Sequence, residues 1–300
     1  TGQGPLDKQR RALLFGLGAV LCWSTVATAF KLSLQYLSPA QLVLLAALTS
    51  WLFLGLVLVV TGELRQLLGG KSRDYLYAAL LGGLNPCLYY LVLLKAYELL
   101  PAQEAQALNY TWALTTALLA APLLGHKLRP MELLAALVCY SGVLVIATRG
   151  QVSSLEFASP VGVALALAST LLWAFYWLLN TANKRDPVAS LFLNFSFGLP
   201  LLLVYCLWQG QLVAVPWQGV AGAVYVGLVE MGISFILWLY AMKLTSSTIR
   251  ISSLIFMAPP LSLLLIYFVL GEQILPSTLV GLALILMGLA MQYSKRGRVA

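Results

Sequence analysis

The chain has 300 residues, of which 61% are hydrophobic and only 9% charged, with a mean hydropathy of +0.89. A soluble domain carries roughly 45–50% apolar and about 25% charged residues, so a water-solvated surface over most of this molecule is excluded. A net charge of +8 would suggest nucleic acid for a soluble protein, but here the basic residues collect at the ends of apolar stretches, and no nucleic-acid partner is expected.

Ten stretches reach the roughly 17–25 residues needed to cross a hydrocarbon core as a helix: 13–35, 40–61, 75–99, 102–125, 131–148, 160–183, 188–208, 217–242, 246–270 and 276–294. Backbone groups in lipid must be satisfied internally, and these runs are too long and too uniformly apolar for barrel strands. The predicted fold is therefore an all-α integral membrane protein of ten transmembrane helices joined by short loops, with the lipid bilayer as its solvent.

The first stretch follows Lys8, Arg10 and Arg11 and contains Ala27-Thr28-Ala29, the form of a signal-peptide cleavage site. It is read as a retained helix, because its Trp23 has a counterpart in Trp173 of the sixth stretch. Ser24, Thr28 and Lys31 give it a polar stripe. The third carries Asn85 and Tyr89 on one face, then Lys95 and Glu98 near its end. The fourth begins near Glu104 and presents Asn109, Trp112 and Thr116 together, with Tyr110 beside them. In the sixth, Trp173, Tyr176, Trp177 and Asn180 fall at i, i+3, i+4 and i+7, one face that joins large rings to polar tips. Such a face suits stacking on a flat ring or cation–π contact with an ammonium, or ordinary ring packing between helices. The eighth places Glu230, Ser234 and Trp238 on one face. A carboxylate at bilayer depth is costly unless paired, hydrated or protonated, so Glu230 is expected to face a cavity. It would serve as counter-charge for a substrate ammonium, as a proton-binding group, or as a structural hydrogen-bond partner. Arg250 in the ninth reads as a snorkelling anchor. Pro86, Pro122, Pro200 and Pro259-Pro260 lie inside spans, where each favours a kink.

Lys31, Lys95, Glu98 and Glu104 are a candidate outer gate or charge cluster, against the alternative of solvated interface charges. Cys22, Cys87, Cys139 and Cys206 stand singly in four different spans, and His126 is the only histidine. Neither a metal site nor a cofactor is expected from them. No phosphate-binding glycine loop occurs that would let ATP drive the protein.

Two copies of one pattern run through the chain. Gly125, Pro130 and Gly142 recur as Gly271, Pro276 and Gly288 at a spacing of about 146. At one residue less, Gly82, Ala96 and Leu99 recur as Gly227, Ala241 and Leu244, with Asn85 opposite Glu230. Five helices per copy force opposite insertion, which gives a 5+5 inverted repeat of residues 1–150 and 151–300. Charge agrees. With both termini cytoplasmic, Lys8, Arg10, Arg11, Arg65, Lys71, Arg73, Lys127, Arg129, Lys184, Arg185, Lys243, Arg250, Lys295, Arg296 and Arg298 fall on one face. Only Lys31, Lys95 and Arg149 fall on the other. The loop from Gly125 to Pro130 is basic, whereas its counterpart from Gly271 to Pro276 has no Lys or Arg.

Ala258-Pro259-Pro260, Gly271-Glu272, Pro276, Gly281 and Gly288, with the two central tryptophans, resemble the EamA-type members of the drug/metabolite transporter superfamily. Leu108-Asn109-Tyr110-Thr111-Trp112, Cys22-Trp23-Ser24-Thr25 and Trp173-Ala174-Phe175-Tyr176 are similar to segments of bacterial aromatic amino acid exporters of the YddG type. The resemblance implies a central cavity lined by helices 1, 3, 4, 6, 8 and 9, with 5 and 10 peripheral. His126 departs from the Glu272 of the second copy, and Leu114-Thr115 from its Pro259-Pro260.

The expected function is a secondary transporter in the bacterial inner membrane, a monomer or homodimer, exporting a small amphipathic metabolite by alternating access. Aromatic amino acids are the substrates that the resemblance implies. The expected binding residues are Asn85, Tyr89, Asn109, Tyr110, Trp112, Trp173, Tyr176, Trp177, Glu230 and Trp238. An exporter of organic cations or hydrophobic drugs is the first alternative. A membrane enzyme would need reactive side chains in mutual reach, and the acidic residues are scattered, so an enzyme is not expected.

Overall fold

The structure is a computed structural model that describes residues 4–125, 127–246 and 248–296. His126, the counterpart of Glu272, and Arg298 of the basic C-terminal segment lie outside the described residues. Among the described residues there are helices and no strands. Nine helices are long and apolar enough to cross a membrane: α1 Pro5–Ser33, α2 Pro39–Thr61, α3 Ser72–Leu99, α4 Ala102–Leu124, α5 Pro130–Ala147, α6 Pro160–Thr181, α7 Pro187–Trp208, α8 Trp217–Leu244 and α9 Arg250–Leu270. A tenth, α10 Pro276–Arg296, holds a shorter apolar stretch, Pro276–Gln292. The first helix begins earlier than its apolar run. Pro5 stands at its first turn, so the basic Lys8–Arg11 segment continues it as an exposed helical extension.

Local chemistry sets the boundaries. Proline opens α1, α2, α5, α6 and α7, where its missing N–H costs nothing. At α2, Ser38 Oγ accepts from Gln41 N (3.2 Å) while Ser38 N donates to Gln41 Oε1 (2.9 Å). Asp186 Oδ2 caps α7 by accepting from Val188 N and Ala189 N, both 3.2 Å. Gly125 and Gly271 end α4 and α9 at φ 70° and 67°, a left-handed conformation that only glycine adopts without cost.

Several spans are interrupted midway. In α3 the turn Gly83–Leu88 is widened around a cis Asn85–Pro86 bond. In α8 the turn Val229–Ile233 is widened without any proline, and Ser234 Oγ donates to Glu230 O (2.9 Å) within it. The path of α4 breaks between Asn109 and Trp112, and α9 tightens to a 3-10 turn over Ser253–Met257 before resuming at Ala258. Pro86 and Pro259-Pro260 therefore coincide with irregular turns, whereas Pro122 and Pro200 lie inside unbroken helix.

The helices meet in recurring pairs. α5 lies along α10 and α2 along α7; the first part of α8 runs against α2, and the first part of α3 against α7. The second part of α8 packs on α1, and the second part of α3 on α6, while α9 lies beside α1 and α4 beside α6. Small residues permit the closest of these crossings. A Cβ on Gly142 would stand 2.4 Å from Gly281 O, and one on Gly281 would stand 2.4 Å from Ile146 Cγ1 and 2.7 Å from Gly142 O. With lipid as apolar as the helix faces, such backbone proximity is what holds membrane helices together. Gly142→Val and Gly281→Val should each cost about 1–3 kcal/mol through overpacking, read as a lower melting temperature and loss of the monodisperse elution peak. Gly18→Ala, whose methyl would meet only Leu237 Cδ1 at 3.4 Å, should leave both unchanged.

Candidate functional site

Seven of the helices, α1, α3, α4, α6, α7, α8 and α9, enclose a cavity of about 270 Å³. α2, α5 and α10 contribute nothing to its wall. The widened turns put polar groups there: Asn85 lies in the irregular turn of α3 and Glu230 in that of α8, and both line the cavity. All ten residues expected at a binding site from the sequence line this one space: Asn85, Tyr89, Asn109, Tyr110, Trp112, Trp173, Tyr176, Trp177, Glu230 and Trp238.

The aromatic side chains form a linked wall. Tyr90 meets Tyr89 edge to face at 4.9 Å, Tyr89 lies 4.7 Å from Trp173, and Trp173 lies 5.2 Å from Tyr176. Trp112 extends the wall, 6.5 Å from Trp173 and 6.3 Å from Trp177, which is 41% exposed. Facing them, Trp23 of α1 and Trp238 of α8 lie 5.1 Å apart. Such faces and edges accommodate a flat ring or a cation. Phe30 and Tyr97, both almost fully buried, meet edge to face at 5.2 Å at the end of the cavity nearest Lys31.

Hydrogen bonds fix several of these groups. Asn109 Nδ2 donates to Ser169 Oγ (2.9 Å) and to Tyr89 OH (3.3 Å), which ties α4 to α6 and α3. Tyr110 OH donates to the carbonyl of Ile255, which ties α4 to α9. Asn194 Nδ2 donates to Tyr176 OH at 3.2 Å. Tyr90 OH donates to Glu230 Oε1 at 3.2 Å, and among the described residues no Lys or Arg pairs with that carboxylate or lines the cavity. Asn85 Oδ1 and Asn180 Oδ1, both on the wall, are buried without a hydrogen-bond partner among the described residues. The chamber thus holds surplus acceptors and one carboxylate, a set that a cationic donor would satisfy.

Sequence reasoning missed Tyr90, the group that touches Glu230. Tyr90 lies five residues past Asn85, off the Asn85–Tyr89 face of a regular helix, but the extra residue held in the widened turn at 83–88 shifts that face toward Tyr90, and both rings line the cavity. Gln106, Phe195 and Tyr97 also line it unforeseen.

Three of the four candidate gate residues are linked by charge, since Lys31 feels the Glu98 carboxylate that Lys95 pairs with, while Glu104 is paired elsewhere. Lys95 Nζ pairs with Glu98 Oε1 at 2.5 Å within α3, both side chains partly exposed. Glu104 is buried and instead binds Arg149, with Nε–Oε1 2.7 Å and Nη2–Oε2 3.3 Å. That carboxylate raises the Arg149 guanidinium above its ordinary range. Lys31 Nζ donates to the carbonyls of Tyr97 and, at 2.7 Å, Leu100. The best-connected carboxylate on this side is Glu272, in the α9–α10 loop. It accepts from Ala102 N (3.1 Å), Gln103 N (3.1 Å) and Gln103 Nε2 (2.8 Å), and so caps α4 from a distant part of the chain.

A multi-pass helical membrane protein with a small polar and aromatic chamber among its spans has the build of a small-molecule transporter. The chain belongs to the EamA-like transporter family, whose model matches residues 10–148 and again 160–294. It is 29% identical over 262 residues to the aromatic amino acid exporter YddG of Ancylobacter novellus, covering 85% of this chain and 87% of that one. A probable terminal-alkyne amino-acid exporter of Streptantibioticus cattleyicolor is 28% identical over 279 residues, covering 91% of this chain and 90% of that one. The uncharacterized transporter YvbV of Bacillus subtilis is 25% identical over 297 residues (97% and 93%). A solved crystal structure covering 96% of this chain and 98% of its own superposes with a TM-score of 0.64 at 24% identity, a likeness of fold.

Glu272→Ala should lower stability by about 1–2 kcal/mol, because it uncaps α4. Lys95→Ala, which removes an exposed pair, should change it by less than about 0.5 kcal/mol. Thermal unfolding in detergent checks both.

Proposed function

We propose that the chain is a secondary transporter that exports small amphipathic amines, with aromatic amino acids foremost, across the bacterial inner membrane by alternating access. The observation that carries this reading is the uncompensated Glu230 carboxylate facing a ring-lined cavity of about 270 Å³, a size suited to a metabolite rather than to a large drug. The substrate ammonium approaches Glu230 and Asn85, and its ring rests against Trp112, Tyr110, Trp173 or Trp177. The two exporters that the chain resembles support an amino acid substrate.

The transport unit is read as two inverted five-helix repeats, residues 1–150 and 151–300, working as a monomer or homodimer with both termini in the cytoplasm. Support comes from the family model matching each half separately and from the helix pairings. Exchanging α1 with α6, α2 with α7, α3 with α8, α4 with α9 and α5 with α10 turns the eight pairings described above into one another. The two halves would then rock about the chamber between them. Carrying the substrate through is the whole task, with no catalysed reaction and no cofactor.

One observation favours a second reading. With no Lys or Arg on the wall among the described residues, a substrate carboxylate finds only neutral partners, which suits an organic cation equally well. Proteoliposome uptake of tryptophan, leucine and tryptamine separates the two. The leading reading expects tryptophan to outrun leucine, and Glu230→Gln and Trp112→Ala each to cut tryptophan transport at least about tenfold, near 1.4 kcal/mol. Transport of tryptamine with none of tryptophan would establish the cation reading. Unaltered rates in folded Glu230→Gln and Trp112→Ala proteins would overturn both.

A further inference from the structure

A second concave site, sharing no lining residue with the chamber, lies where the α2–α3 loop faces the α6–α7 loop. Its volume is about 570 Å³, within the range of small-ligand pockets. Arg73, Lys184 and Arg185 line it against a single carboxylate, Asp74, whose Oδ2 already accepts from Lys71 N at 3.0 Å. The nearby Asp186 is likewise committed, to the first amides of α7.

The cations differ in how they are held. Arg185 is fixed: its guanidinium lies over the Tyr75 ring at 5.5 Å, and its Nη1 donates to Gln66 O at 3.4 Å. Arg73 and Lys184 have no hydrogen-bond or ion-pair partner among the described residues. Ser190, also on the wall and 4% exposed, accepts from Asn183 Nδ2 at 2.7 Å. Its own O–H has no acceptor among the described residues, which leaves a buried donor for a ligand. Gly69 and Gly70 bring bare backbone to the same wall. Apart from the Asp74 carboxylate and the Gln66 amide, the unspent side chains here are donors or positive charges, the complement of a phosphate.

The rim decides which phosphate. Leu68 lines the pocket and is 78% exposed, and Leu76, at i+3 from Arg73 on the same face of α3, is 73% exposed. Leu76 stands on a membrane-crossing helix, where an exposed apolar side chain meets acyl chains, and Leu68 lies in the loop just before that helix. A cationic pocket that opens directly onto apolar surface fits a molecule with an anionic head and a hydrocarbon tail. We infer that this pocket binds the headgroup of an anionic phospholipid and clamps the α2–α3 loop to the α6–α7 loop. The inference does not depend on the transport reading.

The test uses the full-length protein, delipidated in a neutral detergent, and follows thermal unfolding with phosphatidylglycerol, phosphatidylcholine or inorganic phosphate at equal phosphate concentration. Phosphatidylglycerol alone should raise the melting temperature and remain bound in native mass spectra. Arg73→Gln and Lys184→Gln break no bond within the protein, so they fold, and each should weaken the half-saturating concentration about fivefold. Lys127→Gln, a basic residue elsewhere, should leave it unchanged. Equal stabilisation by phosphatidylcholine, or an unaltered response in the Arg73→Gln/Lys184→Gln double variant, would refute the site. Equal stabilisation by inorganic phosphate would make it a soluble-anion pocket and overturn the lipid assignment.

Discussion

The structure is arranged around a carboxylate that no basic side chain among the described residues neutralises, set halfway along a membrane-crossing helix. Leaving Glu230 in contact with hydrocarbon would cost several kcal/mol, so the chain must surround it with a polar, hydratable space or with a partner. The structure provides both in part: a cavity of about 270 Å³ and one donor, Tyr90. Much of the local irregularity follows. In α3 the widened turn at Gly83–Leu88 shifts the face that carries Asn85 toward Tyr90, and Tyr89 and Tyr90 both line the wall. A regular α8 would close backbone hydrogen bonds straight through Glu230; the widened turn at Val229–Ile233 leaves Ser234 to take up the Glu230 carbonyl.

Holding such a chamber open requires stiffness elsewhere. Apolar side chains gain nothing by leaving lipid for one another, so the frame relies on backbone proximity and on hydrogen bonds between helices. Gly82 comes so near α7 that a Cβ there would stand 2.2 Å from Asn194 O, and Gly227 so near α2 that one would stand 2.3 Å from Ala46 O. Each of these glycines lies just before a widened turn, so α3 and α8 are pinned at the point from which they deviate. Trp51 Nε1 donating to Ser196 Oγ (2.7 Å), with its ring stacked on Phe192 at 5.5 Å, joins α2 and α7 between the two pins.

The spans were legible because lipid imposes one dominant rule, a long apolar run, and prolines and glycines punctuate it. The aromatic wall was legible for a similar reason: the i, i+3, i+4, i+7 spacing from Trp173 to Asn180 holds because α6 runs unbroken. Where periodicity fails, so did the reading. Tyr90 was hidden by the extra residue in the α3 turn. Glu272 was hidden because a capping residue is normally sought next to the helix it caps, and this one caps α4 from about 170 positions away. Lys95 and Glu98 were grouped by their i, i+3 spacing and do pair, whereas Lys31 and Glu104 joined them by depth, and depth says nothing of azimuth. Lys31 meets carbonyls, and Glu104 meets Arg149.

Asn85 and Glu230 both stand in widened turns on the wall of one cavity, and in the proposed two-repeat unit they occupy equivalent places. A duplicated scaffold would present the same group twice, and two facing carboxylates would repel in a poorly screened interior. Replacing one by an amide removes that repulsion while keeping an acceptor, Asn85 Oδ1, which is buried and unpaired. The result is a chamber with one formal charge and a neutral acceptor of like geometry. In the proposed transporter, a single ammonium satisfies both, whereas a doubly charged cation would leave one charge without a counter-ion. On the proposed reading, the difference within this one pair would set the charge of the substrate, and the rings around it would set its shape.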